Sequence, residues 1–192
     1  MEEDKKYCLC CGEDVPYNVV VRNERRELTC TYCGFTLDTE NLWEDKKSSI
    51  GTYALIAEDS NFTRTLLKEL ILKKEIATEV GAAANGLELV TEYSRLLKKN
   101  VRISFAIIDL NMPVMDGLTA ARTLRAIEEK EGKIKVPIVF FSGVKADEGL
   151  RRQMELLAPA NYVNKGSNPD PEHLVHRIQG LLNFISQCYQ SA

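Results

Sequence analysis

Five short apolar runs, each followed by a segment of helical period, constrain this chain more than any other feature. "YALIA" (53–57), "EIATEV" (75–80), "ISFAII" (103–108), "VPIVFF" (136–141) and "NYV" (161–163) alternate with "NFTRTLLKELILKK" (61–74), "GLELVTEYSRLLKKN" (86–100), "GLTAARTLRAIEEKEG" (117–132), "EGLRRQMELLA" (148–158) and "PEHLVHRIQGLLNFISQCY" (171–189). Strands that read as continuous Val/Ile/Phe runs are those buried on both faces of a parallel sheet. Strand-helix alternation with crossover connections predicts a doubly wound α/β domain. In such a sheet, ligands gather at the carboxyl ends of the strands, near the point where strand order reverses.

The residues at those ends carry the chemistry. The first run ends in Glu58-Asp59, the third in Asp109, the fourth in Ser142, and Lys165 stands two residues past the fifth. Three carboxylates in one small site repel each other, so a cation is needed to hold them together. A hard divalent ion with oxygen ligands, Mg²⁺ above all, meets that need. The ammonium and the hydroxyl find a use once an anion visits. A phosphoryl group on one carboxylate would engage the metal, Lys165 and Ser142 together.

Over about residues 52–188 the chain resembles the receiver domain of two-component response regulators. The resemblance rests on "EDS" (58–60), "DLNMPVMDG" (109–117), "FFSG" (140–143) and "YVNK" (162–165). It implies a flavodoxin-like (βα)5 fold with receiver strand order 2-1-3-4-5. It implies that Asp109 accepts a phosphoryl group from a sensor histidine kinase or a phosphotransfer protein. Mg²⁺ would be bound by Glu58, Asp59, Asp109 and the backbone carbonyl of Asn111. Ser142 and Lys165 would hold the phosphoryl group, and Tyr162 would move inward as the hydroxyl reorients. That movement would alter the face made by the last two βα units, where a downstream protein or a second phosphorylated copy can bind. Three positions depart from the family pattern. Gly166 replaces the usual proline after the lysine, Pro159 replaces a common glycine, and Glu58 replaces the commoner aspartate. A cis peptide before a non-proline residue costs about 3 kcal/mol, so a trans Lys165–Gly166 bond and reshaped loops are expected.

The N-terminal segment follows other rules. Cys8-x-x-Cys11-Gly12 and Cys30-x-x-Cys33-Gly34 are two identical units with 18 residues between Cys11 and Cys30. Each turn presents two thiolates, and four thiolates meeting tetrahedrally suit Zn²⁺. The pattern resembles zinc ribbons, with "VVV" as one arm of a hairpin and "RNERRE" at its tip. Iron in a rubredoxin-like centre and a redox-active dithiol are the alternatives, and Cys10 is a spare fifth thiol. The expected organisation is a ribbon over 1–36, a linker over 37–51 and a receiver over 52–192. His173 and His176 fall on the last helix as surface or packing residues.

Charge and length exclude other classes. Residues 1–50 hold 7 Lys and Arg against 11 Asp and Glu, a net of −4; the remainder holds 18 against 17, a net of +1. Neither has the basic excess of a nucleic-acid binder, although the basic hairpin tip leaves ribbon-mediated nucleic-acid binding as an alternative. The start "MEEDKK" lacks the apolar core of a secretory signal, and no apolar run reaches the roughly 18 residues of a membrane helix. A cytoplasmic protein is expected. The chain ends with the fifth helix, so signalling through protein contact is expected rather than a separate enzymatic activity. Self-phosphorylation from a donor and slow acyl-phosphate hydrolysis would be its only reactions. A phosphorylation-independent adaptor on the same fold is the competing reading.

Overall fold

A computed structural model describes residues 5–22, 25–40, 52–166 and 171–189. The elements run β1 (Lys5–Cys8), β2 (Glu13–Arg22), β3 (Arg25–Cys30), β4 (Thr36–Glu40), β5 (Tyr53–Ala57), α1 (Asn61–Lys73), β6 (Glu79–Ala83), α2 (Gly86–Lys98), β7 (Ile103–Ile108), α3 (Gly117–Glu131), β8 (Ile138–Ser142), α4 (Glu148–Leu156), β9 (Ala160–Asn164) and α5 (Pro171–Tyr189). They form two sheets. One is four-stranded, in the order β1-β2-β3-β4; the other is five-stranded, in the order β6-β5-β7-β8-β9. The second is the expected doubly wound sheet, with β7 central and β5 paired in parallel with β6 and β7.

The chain divides into two compact units. The first joins the cysteine-bearing sheet to residues 143–146 and to Tyr162 onward; the second holds 49–142 and 147–161. The second unit is built on the runs that the sequence marks as strands. Ala54, Leu55, Ile56, Ala57, Phe105, Ala106, Ile107 and Ile108 are all buried, so β5 and β7 are covered on both faces as a parallel sheet requires. Ser60 caps α1, its hydroxyl accepting from the Thr63 N–H at 3.4 Å.

Two expected boundaries move. The second strand covers Glu79–Ala83 rather than 75–80. Glu75 takes a left-handed backbone with φ 55° as α1 ends, and pairing begins only where Glu79 meets Tyr53. The pairing then uses Gly81, where an added Cβ would stand 2.9 Å from a methyl of Leu55. The boundary expected between 36 and 37 also moves, because Thr36–Glu40 pairs with β3 through a register shift at Leu28/Thr29. The rest of that expected linker, 41–51, lies outside the described residues.

The helix α3 carries a buried network that the charge pattern hides. Glu128 is fully buried and accepts from Arg125 Nη1 at 2.7 Å, the Tyr93 hydroxyl at 2.9 Å and the Val136 N–H at 2.8 Å. Arg125 also donates to the carbonyls of Leu157, Val136 and Pro159, at 2.8, 2.9 and 3.1 Å. The pair therefore ties α2 and α3 to the chain before β8 and before β9. Among the described residues the cis peptide bond is Ala158–Pro159, and Gly166 adopts φ 82°.

Candidate functional site

The acidic site is assembled by two neighbouring strands that end side by side. The Asp109 N–H donates to the Ala57 carbonyl at 2.8 Å, continuing the β5–β7 ladder by one residue. The Glu58 N–H donates to the Ala83 carbonyl at 3.1 Å, continuing the ladder to β6. Glu58 and Asp109 are buried, and Asp59 is exposed. Each of the three offers a carboxylate oxygen within 4.8 Å of the others. Octahedral oxygens at about 2.1 Å from Mg²⁺ lie about 3.0 Å apart in cis and about 4.2 Å in trans. The cluster is drawn together nearly to that span, so its donor set fits a hard divalent cation.

Local hydrogen bonds hold the acids in place. Glu58 Oε1 accepts from the Ser60 N–H at 3.3 Å, and Asp109 Oδ1 accepts from the Asn111 N–H at 3.3 Å. Arg64, one turn into α1, donates to the carbonyls of Glu58 and Asp59 at 2.6 and 3.1 Å. In the sequence it reads as an ordinary helix cation. The loop after Asp109 folds back on itself: the Gly117 N–H reaches the Leu110 carbonyl at 2.9 Å. A Cβ at 117 would stand 2.0 Å from the Asp109 carbonyl oxygen, so close approach rather than unusual φ demands glycine there. The left-handed residue of this loop is Val114, at φ 67°.

The other expected residues lie on or just past the next two strands. Ser142 is the buried last residue of β8. In the first unit, Tyr162 is buried on β9 with its hydroxyl donating to the Val144 carbonyl. Lys165 follows β9 directly and is half-buried.

The four expected cysteines also converge. Cys8, Cys11, Cys30 and Cys33 each place a sulfur within 4.8 Å of the rest. Cys8 Sγ to Cys33 Sγ is 3.5 Å, and Cys11 Sγ to Cys30 Sγ is 3.8 Å. A tetrahedral ion with bonds of about 2.3 Å to sulfur holds its ligands about 3.8 Å apart, so the cage has the right size. The two turns repeat one geometry. Gly12 and Gly34, at φ 80° and 69°, donate to the Cys8 and Cys30 carbonyls at 2.7 and 2.9 Å. The N–H groups of Cys11 and Cys33 lie 3.4 Å from the sulfurs of Cys8 and Cys30. Hydrogen bonds from Cys10 and then Cys8 hold the Cys33 thiol far down, at about 2, while burial and Cys33 push Cys11 up to about 12. Four thiolates cannot coexist here unless a cation compensates them. Cys10 is buried beside the cage but outside the group of four.

A doubly wound α/β sheet with an acid cluster at its carboxyl edge defines the class: a flavodoxin-like module with a cation-competent carboxylate site. The response regulator receiver domain model matches residues 54–179, and the chain belongs to that family. It is 34% identical over 127 residues to a protein-glutamate methylesterase/protein-glutamine glutaminase of Methanosarcina mazei, a match over 65% of this chain and 31% of that protein. The chain thus spans about a third of this relative's length. Its fold is similar to the response regulator domain of Thermotoga maritima CheB, with a TM-score of 0.55 and 20% identity over 74% of this chain and 98% of that one. It is also similar to the Mg²⁺-complexed receiver domain of the Arabidopsis thaliana histidine kinase CKI1, with a TM-score of 0.56 and 21% identity over 70% and 90% of the two chains.

Proposed function

We propose that this protein is a phosphorylatable response regulator in which Asp109 accepts a phosphoryl group with Mg²⁺ bound, and which signals by protein contact. The observation that carries this is the meeting of Glu58, Asp59 and Asp109 at the ends of β5 and β7. The donor is a histidine kinase or a phosphotransfer protein. One Oδ of Asp109 forms a bond to phosphorus as the bond from phosphorus to the donor's imidazole nitrogen breaks, and the imidazole keeps the electron pair. Glu58, Asp59, Asp109 and the Asn111 carbonyl would hold Mg²⁺, which would supply positive charge beside the phosphoryl oxygens. Ser142 donates a hydrogen bond and Lys165 supplies a point charge to the same group. The methylesterase named for the relatives is theirs; for this chain only phosphoryl uptake and its slow hydrolysis are proposed.

The four cysteines are proposed to hold Zn²⁺ as a structural ion. Output is proposed to pass through the last two βα units or the ribbon, to a downstream protein or a second copy. Among the described residues no helix is long and apolar enough to cross a membrane, and a cytoplasmic location is proposed. Acetyl phosphate or beryllofluoride added with Mg²⁺ should alter the NMR signals of the site in the native protein and leave Asp109→Asn unchanged. An unaltered native protein would sink the reading. A native response, but full cellular function in Asp109→Asn, would favour the phosphorylation-independent adaptor.

Asp59 supplies the exposed member of the cluster and contributes little to the core. Asp59→Asn should therefore fold normally yet lose Mg²⁺ affinity by about tenfold or more, since even outer partners of metal ligands cost 10- to 100-fold. Calorimetric Mg²⁺ titration of the two proteins measures it.

A further inference from the structure

The first cysteine turn does more than close a metal cage. Leu9, between Cys8 and Cys10, accepts a backbone hydrogen bond from the Asn164 N–H at 2.9 Å. Asn164 is the residue immediately before Lys165. Its side chain then reaches around the lysine: Oδ1 accepts from the Gly166 N–H at 2.6 Å, and Nδ2 donates to the Val144 carbonyl at 3.2 Å. That same carbonyl receives the Tyr162 hydroxyl. The backbone on both sides of Lys165 is thereby tied to residue 144 and to the cysteine turn.

Three side-chain contacts seat the turn against α5. Leu9 occupies the notch at Gly180, where an added Cβ would stand 2.9 Å from Leu9 Cδ2. The Arg177 guanidinium lies 5.0 Å from the centroid of the Tyr7 ring, a cation–π distance. It also comes within 3.4 Å of a Cβ position at Gly12 and 3.6 Å of one at Gly166, spanning the cysteine turn and the lysine loop. Phe35, which follows the second turn, stacks on Phe184 of α5 with centroids 4.8 Å apart. Every one of these contacts lies within a single compact unit. A ribbon attached only by its linker would need none of them.

We propose that Leu9 and Asn164 are positioning residues for Lys165, so that metal at the four cysteines sets how well this lysine holds a phosphoryl group on Asp109. This rests on the receiver reading given above. The ion fixes Cys8 and Cys11, these fix the Leu9 carbonyl and side chain between them, and the Leu9 carbonyl fixes the strand end from which Lys165 projects. Coupling of this kind is reciprocal: whatever factor zinc adds to phosphoryl-analogue affinity, the analogue adds to zinc affinity.

The test uses the full chain, zinc-loaded and zinc-stripped, together with a Leu9→Ala variant that keeps all four cysteines. Beryllofluoride affinity in saturating Mg²⁺, Mg²⁺ affinity alone, and hydrogen exchange at the Asn164 amide are measured on each. The expected result is beryllofluoride binding weakened about 5- to 150-fold on zinc removal, and in the same direction in zinc-loaded Leu9→Ala. The Asn164 amide should exchange faster in both, while Mg²⁺ affinity, set by Glu58, Asp59 and Asp109, stays as in the native protein. General damage to the fold would lower Mg²⁺ affinity as well, and that result overturns the proposal. Equal beryllofluoride affinity in all three forms overturns this inference and leaves the receiver reading intact. Failure of every form to bind beryllofluoride overturns both.

Discussion

Chelating the zinc proposed for the four cysteines, or replacing Cys30 with serine, is expected to unfold the four-stranded sheet while β5 to β8 keep their structure. The reason is the small apolar content of that sheet. Among its described residues the buried apolar side chains are Cys8, Cys10, Val15, Cys30 and Phe35. Three of those five are thiols around the cage. A segment this short cannot bury enough surface to fold alone, whereas a structural Zn²⁺ supplies about 10–16 kcal/mol of apparent binding free energy. Amide exchange resolves the two regions. Residues 5–22 and 25–40 should lose protection on chelation, and 53–57 and 103–108 should keep it. Protection retained in the ribbon after the metal is removed would mean that the α5 contacts alone hold it.

Glu128→Ala is expected to be the most damaging single change in the second unit, by about 3–5 kcal/mol, because it leaves Arg125 charged and buried without its partner. The Tyr93 hydroxyl and the Val136 N–H lose their acceptor at the same time. Glu128→Gln should also be costly, since an amide nitrogen must then face either a guanidinium or another N–H donor. Urea unfolding curves give the size. The Arg125→Met/Glu128→Met double variant should lose less than the sum of the two single changes, because it leaves neither charge unpaired. Additive losses would show that the two residues act independently.

That network also marks where the sequence is least legible. "ARTLRAIEEKEG" reads as a charged helix face, and an Arg and a Glu three apart look like a solvent-exposed pair. Whether such a pair is inside depends on Tyr93, Val136 and Leu157, which no local pattern connects to it. Arg64 is similar: its role comes from two backbone carbonyls, and carbonyls carry no sequence signature. By contrast, the acid cluster was legible because parallel strands buried on both faces announce themselves as apolar runs. The residue after each run must then lie at the carboxyl edge of the sheet. The cysteine cage was legible for the same kind of reason, since a CxxCG turn is a local geometry repeated twice. The second strand starts four residues later than its pattern suggests. "EIATEV" alternates well enough to suggest pairing, but buried Ile76 and Ala77 belong to the turn leaving α1. The pairing strand itself, "EVGAA", is poor in β-branched residues and gives little signal.

The loop after Lys165 shows how a departure from a family pattern is accommodated. Gly166 takes φ 82°, a conformation closed to proline. Its free N–H is used, donating to Asn164 Oδ1, a bond that proline could not make. The exchange therefore places a hydrogen-bonded turn beside the lysine, in the same loop that Arg177 approaches.

Phosphoryl uptake by Asp109, as proposed, is open to a direct chemical test. Acyl phosphates are reduced by borohydride to the corresponding alcohol, so protein treated with acetyl phosphate and Mg²⁺, then reduced and digested, reveals the acceptor by mass spectrometry. Homoserine is expected at position 109, and none when Mg²⁺ is chelated or Asp109 is replaced by asparagine. Homoserine at another aspartate, or none at all in Mg²⁺-loaded native protein, would contradict it.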